Sequence, residues 1–274
     1  MKVSPIQFNY NYKKINFCAD KNCFSSQNSK YTTCEKGQIV NVRGGGVFNR
    51  HITEYCRADM NWVKLEQTIR KKFPNPQDAN FIIYAASTGE EPYTMAILLD
   101  KIYTKPISIK AFDISQDVID EDIKRQKEGV VIDIKDVRKI YETLNLNAFN
   151  SYFKADRLNG SIKLAKRITD CIEFKRSNIL EDINKIDSSK PVVLMARNMW
   201  PYVHHSEYKA FCEKLKETLA PGSLFVIGVY DYNGETYFKN SGNFPYILSK
   251  SGFKPVSSSF LESFRNFNLI FEKK

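Results

Sequence analysis

The sequence is poor in the residues that build metal centres and classical hydrolase sites. Among 274 residues there are three histidines, His51, His204 and His205, with no His-x-x-x-His or Glu-x-x-His spacing. The six cysteines, Cys18, Cys23, Cys34, Cys56, Cys171 and Cys212, include no C-x-x-C pair. A zinc knuckle from the first three, with Cys56 or His51 as fourth ligand, is therefore disfavoured against free thiols, and no metal is expected. There is no Gly-x-Ser-x-Gly elbow, which argues against a serine hydrolase. No apolar run approaches the roughly 20 residues of a membrane span. The opening MKVSPIQFNYNYKK lacks the apolar region of a secretory signal, so a cytoplasmic protein is expected. No internal repeat is visible.

What the sequence has is basic charge and aromatic residues. Lys plus Arg is 41 against 31 for Asp plus Glu, a net charge of +10. Hydrophobic content of 42% and aromatic content of 13% belong to a folded chain rather than a disordered one. The charge favours an acidic partner: nucleic acid, a membrane surface or an acidic protein.

Residues 1–46 read as a leader rich in Lys, Asn, Ser and Tyr, ending in the joint Gly44-Gly45-Gly46. Residues 47–274 read as one domain. Apolar spacing over 51–73 suits a helix that Pro74 and Pro76 end. Strands are then expected at 81–86, 108–112, 171–174, 192–195 and 223–230. Helices are expected at 91–103, 116–128 and 207–219. Such alternation predicts parallel βαβ units in a doubly wound α/β sheet. Two further candidates, 256–260 and 266–272, are too close for a helical crossover and should form an antiparallel hairpin.

In such a sheet, ligands bind beyond the carboxyl ends of the strands. The first strand leads into Ser87-Thr88-Gly89-Glu90-Glu91-Pro92-Tyr93. Thr88 and Glu91 have capping-box spacing, and Gly89 allows close backbone approach. One glycine makes neither Gly-x-Gly-x-x-Gly nor a P-loop, and two adjacent acids favour a cationic ligand over a pyrophosphate. Asp113, at the end of the second strand, can accept both ribose hydroxyls of an adenosine. The fourth strand runs into Arg197-Asn198-Met199-Trp200-Pro201-Tyr202, an unusual set of polar and aromatic residues for a purely structural turn.

In this order the residues resemble the CheR-type chemotaxis receptor methyltransferases. Ser87 to Tyr93 is similar to that family's cofactor loop. Ala111-Phe112-Asp113-Ile114 is similar to its second-strand end, and Asn178-Ile179-Leu180 to its adenine contact. Arg197-Asn198 and Tyr202 are similar to its Arg-Asn-x-x-x-Tyr. Phe48-Asn49-Arg50 stands where the family has Phe-Phe-Arg, and Ala85 where it often has Gly. Asn49 and Trp200-Pro201 also depart from the family pattern.

The resemblance implies a class I SAM-dependent methyltransferase fold: a Rossmann-like seven-stranded sheet with an antiparallel last strand. It also implies a small β-subdomain at about 150–171 and a reduced N-terminal domain. It implies S-adenosyl-L-methionine (SAM) as cofactor, bound by Ser87, Thr88, Gly89, Glu90, Asp113, Asn178, Ile179, Arg197 and Asn198. Arg197, Tyr202 and Arg50 take catalytic roles. The implied reaction is methylation of glutamate side chains on an acidic protein, with a chemoreceptor-like cytoplasmic domain as candidate. An ionised glutamate needs no general base, in keeping with the scarcity of histidine. Nucleic-acid N-methylation is disfavoured, because Met199-Trp200-Pro201-Tyr202 lacks the acceptor Asn or Asp of Asn/Asp-Pro-Pro-Tyr. A non-catalytic SAM-binding or protein-interaction module is the other alternative. The proposed cofactor turn is acidic, so the +10 reads as a docking surface for the protein substrate rather than as a nucleic-acid site.

Overall fold

Strands form where β-branched and aromatic residues run together, and their burial patterns fix their places in the sheet. Strand β1 (Asn80–Tyr84) is buried at four of its five residues and β7 (Val192–Ala196) at all five, as central parallel strands must be. Strands β2 (Ile109–Asp113) and β6 (Ile172–Arg176) begin with a buried-exposed-buried alternation, so one of their faces meets solvent towards the sheet edge. The computed structural model describes residues 53–156, 160–232, 244–256 and 269–274. The expected leader, the triple-glycine joint and Phe48-Asn49-Arg50 lie outside the described residues.

The main sheet has seven strands in the order β6-β2-β1-β7-β8-β10-β9, completed by β8 (Leu224–Val226), β9 (Phe253–Pro255) and β10 (Ile270–Lys273). The first five in that order are parallel, and β10 is antiparallel to both β8 and β9. This is the expected class I methyltransferase sheet. Chain order reverses between β1 and β7, so the cleft beyond their carboxyl ends is the switch point where ligands bind. A three-stranded antiparallel sheet, ordered β3-β5-β4, stands apart. Its strands are β3 (Val131–Ile132), β4 (Phe153–Asp156) and β5 (Ser161–Leu164). Two of these fall within 150–171, and the third comes from before it.

Helices α1 (Trp62–Lys72), α2 (Glu90–Ile102), α3 (Gln116–Glu128) and α4 (Ile134–Thr143) precede the short α5 (Phe149–Tyr152), α6 (Lys166–Thr169) and α7 (Ile179–Asp182). Helices α8 (Glu207–Thr218) and α9 (Phe244–Lys250) follow. Among the described residues, no helix is long and apolar enough to cross a membrane.

Three expectations about elements need correction. The helix expected over 51–73 begins only at Trp62, where the Asn61 side chain caps it by accepting from Lys64 N at 2.9 Å. Tyr55, Cys56 and Met60 are buried from an irregular stretch, so their spacing reported burial rather than helix. The strand expected at 223–230 stops at Val226. The following Val229–Tyr232 is a 3-10 turn, because Asp231 turns back to accept from Gly228 N at 2.6 Å. The strand expected at 256–260 is found earlier, at Phe253–Pro255, paired with β10 at Phe271 through Lys273; residues 257–268 lie outside the described set. Helices α4 and α9 and strand β3 were not expected at all.

Candidate functional site

The first wall of the cleft is the turn between β1 and α2. Three of its five residues from 85 to 89 have left-handed backbones: Ala85 at φ +56°, Ser87 at +49° and Gly89 at +84°. Gly89 is required twice. Its φ suits glycine, and a Cβ there would lie 2.8 Å from the Tyr93 ring and 3.0 Å from Asp122 Oδ1. The capping box expected between Thr88 and Glu91 does not form. The Thr88 hydroxyl donates instead to Glu90 Oε2 at 2.7 Å, and Glu91 reaches across the cleft to Arg197. Both acids sit in the first turn of α2, where the helix dipole favours negative charge. Burial nevertheless raises the Glu90 pKa, opposed by the Thr88 hydrogen bond and by Arg125. Arg125, from α3, braces the turn: its Nη1 donates to the Thr88 carbonyl at 2.5 Å and lies 4.0 Å from Glu90.

Asp113 closes the second strand and fastens this turn. Its Oδ2 accepts from Ser87 N at 3.0 Å, and its Oδ1 accepts from Ser115 N at 3.0 Å. Ser115 is the N-cap residue of α3, but its own hydroxyl makes no capping bond. A carboxylate has about four lone-pair sites, so Asp113 keeps acceptor capacity for two ligand hydroxyls. The neighbouring strand end carries Asn178, whose Oδ1 caps α7 through Leu180 N at 3.1 Å and whose Nδ2 donates to Glu181 at 2.9 Å. Ser177 N donates to the Asp113 carbonyl at 2.9 Å, which sets Asn178 close to Asp113 in the sheet. Ile179 beside it is buried in the core.

The opposite wall is the end of β7. Arg197 is buried, and both of its terminal nitrogens are held by acids: Nη1 by Glu91 at 2.5 Å and Nη2 by Asp59 at 2.7 Å. Its guanidinium lies 5.7 Å from the centre of the Trp62 ring. Burial raises the Glu91 pKa, while Arg197 pulls it back down. Asn198, at φ +58°, donates from Nδ2 to Asp59 Oδ2 at 3.3 Å and accepts from Tyr230 N at 3.2 Å. Gly228 makes this possible, since a Cβ there would stand 2.0 Å from Asn198 Oδ1. The turn is locked by Asp231, which accepts from the backbone N–H groups of Asn198 at 2.8 Å, Trp200 at 3.1 Å and Gly228 at 2.6 Å.

Trp200 turns away from the cleft. It is fully buried, stacks on Phe244 at 3.7 Å, and donates from its indole to the Ala196 carbonyl at 3.0 Å. The departure from the family pattern at this position therefore belongs to the core. Tyr202 is 41% exposed on the 3-10 turn Trp200–Tyr202. His204 and His205 are exposed beside each other, with ring centres 4.5 Å apart.

Arg57 and Asp59 were missed by sequence reasoning. Arg57 Nε lies 3.4 Å from Asp59 Oδ1, and its guanidinium lies 5.6 Å from the centre of the Tyr230 ring. A signal existed: Tyr55-Cys56-Arg57 has the same aromatic-x-Arg form as Phe48-Asn49-Arg50, whose Arg50 lies outside the described residues.

Two cavities of about 260 and 240 Å³ lie elsewhere, one beside Lys154 and Lys163 on the small sheet and one over the β1–β2 face of the main sheet. The strand ends locate the ligand cleft better than cavity size does, because they gather the acids, the donors and the glycine. SAM fits what is gathered there. Asp113 has acceptors to spare, and the buried Ser87 hydroxyl has no partner. Glu90 supplies an acid for an ammonium group.

Comparison with known proteins agrees. The family described as CheR methyltransferase, SAM binding domain, matches residues 51–250. Chemotaxis protein methyltransferase 2 of Pseudomonas aeruginosa is 24% identical over 182 residues, 65% of this chain and 62% of that relative. The chain thus aligns with about three fifths of that relative's length. Among solved structures, a TehB-like SAM-dependent methyltransferase from Corynebacterium glutamicum matches 76% of this chain and 86% of its own, at 11% identity and a TM-score of 0.40. A putative rRNA-methylase from Clostridium thermocellum matches 78% and 97%, at 14% identity and a TM-score of 0.40. With its sheet order, its cofactor turn and a family match over 51–250, the chain belongs to the CheR methyltransferase family through that family's SAM-binding domain.

Proposed function

We propose that the protein is a SAM-dependent methyltransferase that methylates glutamate side chains of an acidic protein in the cytoplasm, with a chemoreceptor-like cytoplasmic domain as the leading candidate. One observation carries the reading. The Arg197–Asn198 pair and the cofactor turn, more than a hundred residues apart in sequence, are joined by the Arg197–Glu91 contact at 2.5 Å. An acceptor held by one would face a cofactor held by the other.

When bound, the cofactor supplies an electrophilic methyl group on a sulfonium. The work of the chain is positioning and exclusion of water. Asp113 takes the ribose hydroxyls, Glu90 the ammonium of the methionine part, and the Ser87–Gly89 backbone the space between them. Asn178 and Ile179 border the adenine. Arg197 and Asn198 orient the acceptor carboxylate, and Tyr202 stands at the rim. Arg57 is a second candidate, beside Arg50, for the arginine of the family's Phe-Phe-Arg. The acceptor is already ionised at neutral pH, so no base need take a proton. Arg197 must hold the nucleophile without draining its charge. Glu91, already on its guanidinium at 2.5 Å, tempers its pull. Lys127, Lys154, Lys163 and Lys166, around the cavity at the small sheet, offer a basic surface for an acidic partner.

The test is transfer of tritiated methyl from SAM to a chemoreceptor cytoplasmic domain, followed by mild base. The expected label leaves as volatile methanol, as a carboxyl ester requires. A base-stable label would refute the glutamate assignment, and failure to bind S-adenosylhomocysteine would refute the cofactor. Asp113→Ala should weaken S-adenosylhomocysteine binding about tenfold or more, from loss of charge-assisted hydrogen bonds.

A further inference from the structure

Arg197 offers almost no open surface to a substrate: its side chain is 1% exposed. Glu91 and Asp59 occupy its two terminal nitrogens, and its Nε is buried without a partner. An acceptor carboxylate therefore reaches the terminal nitrogens only if one of these acids moves. We propose that Asp59 holds the place of the acceptor carboxylate in the substrate-free protein, and that the incoming glutamate binds by displacing it. This rests on the carboxylate-methylating reading above.

Four observations single out Asp59. First, it binds as the acceptor would. One oxygen takes Arg197 Nη2 at 2.7 Å and the other takes Asn198 Nδ2 at 3.3 Å, so one carboxylate spans both donors of the Arg-Asn pair. Second, it is on the solvent side. The Asp59 side chain is 17% exposed against 11% for Glu91. Third, no helix anchors it. Glu91 lies in the first turn of the 13-residue helix α2, whereas Asp59 lies in the irregular stretch before α1, in a turn closed by Met60 N to the Arg57 carbonyl at 3.2 Å. Fourth, it has somewhere to go, because Arg57 Nε is already 3.4 Å from its Oδ1.

Electrostatics supports displacement over addition. If the acceptor joined with both acids in place, three carboxylates would crowd one buried guanidinium, and like charges at such range disfavour ionisation. The acceptor must stay ionised to be a nucleophile. Exchange shifts the Asp59 charge onto Arg57, so Arg197 still faces only two carboxylates.

The arrangement also sets specificity. An ionised glutamate can replace Asp59 on equal terms. A glutamine amide cannot, because it brings a neutral group against a charged competitor. Asp59 thus screens for free carboxylates before any methyl moves.

The experiment is an NMR titration of the full chain, saturated with S-adenosylhomocysteine, with N-acetylglutamic acid α-amide as a single side-chain carboxylate probe. N-acetylglutamine amide is the neutral control. Asp59→Ala should bind the carboxylate probe about tenfold or more tightly than the wild-type chain, since the internal competitor is gone, with little change for the amide. Asp59→Asn keeps the shape, removes the charge and should shift in the same direction. It decides the matter if the alanine variant does not fold. Equal or weaker probe binding in the folded variants, or no binding in any of them, would overturn the proposal and mark Asp59 as a fixed partner of Arg197. Failure of the wild-type chain to bind S-adenosylhomocysteine is a separate outcome and counts against the cofactor reading instead.

Discussion

Arg197→Met tests whether the buried charge cluster holds the two walls of the cleft together. Methionine has similar length and no charge, so the change removes the cation and leaves Glu91 buried with its hydrogen-bond partner gone. Glu91 is held by Arg197 at 2.5 Å, and burial already raises its pKa against that pull. Removing one partner of a buried ion pair costs about 3–5 kcal/mol, because the other charge stays behind uncompensated. Asp59, more exposed and with Arg57 nearby, should contribute less of that loss. With an m-value of about 3 kcal/mol/M in urea, the unfolding midpoint should fall by about 1 M or more. Glu91→Gln combined with Arg197→Met removes both charges, so the double variant should be more stable than the sum of the single losses by about 1–3 kcal/mol. The pH dependence carries its own sign. Glu91 has a folded-state pKa above its unfolded value, so protonation favours the folded form and stability is lost as pH rises through the folded value. Losing Arg197 raises that value further. The deficit of Arg197→Met should therefore shrink as pH falls toward about 5 and grow above neutrality. Urea unfolding followed by circular dichroism across that range is the assay. A loss below about 1 kcal/mol, or strictly additive losses in the double variant, would refute the reasoning.

Ala85→Gly should stabilise the chain by about 1 kcal/mol, because Ala85 sits at φ +56°, where an L side chain is strained and its exposed methyl group packs little; a lower melting temperature would contradict this. Asp122 is buried with both carboxyl oxygens lacking a hydrogen bond, 3.6 Å from Arg125, and burial raises its pKa to about 8. A raised carboxylate value means a contribution present at low pH and lost as pH climbs from about 4 through the folded value, so Asp122→Asn should flatten that decline and raise the melting temperature at alkaline pH. An unchanged pH profile would show that Arg125 keeps Asp122 ionised throughout.

What could be read from the sequence divides by distance along the chain. The sheet was legible because the Phe81-Ile82-Ile83-Tyr84 and Val192-Val193-Leu194-Met195 runs are continuous and apolar, which is what a strand buried on both faces requires. Helix α3 ran from Gln116 to Glu128 as its local signals indicated. The turn from Ser87 to Tyr93 was legible as a motif for the same reason, since it builds its own geometry from neighbours. Its hydrogen bonds were not, because the capping spacing of Thr88 and Glu91 competes with a partner that spacing does not reveal: Arg197 lies 106 residues from Glu91. The same holds for Asp59, 138 residues from Arg197 and outside any regular element. The aromatic-x-Arg form of Tyr55-Cys56-Arg57 points to Arg57 and not to Asp59, whose charge acquires a partner only when this stretch meets the end of β7. Trp200 shows the converse. It stood in a motif that looked chemical, yet Phe211, Phe225 and Phe244 take its ring into the core. Local pattern thus marked the turn between β1 and α2, while the pairing of charges between that turn and the end of β7 is a property of the tertiary fold.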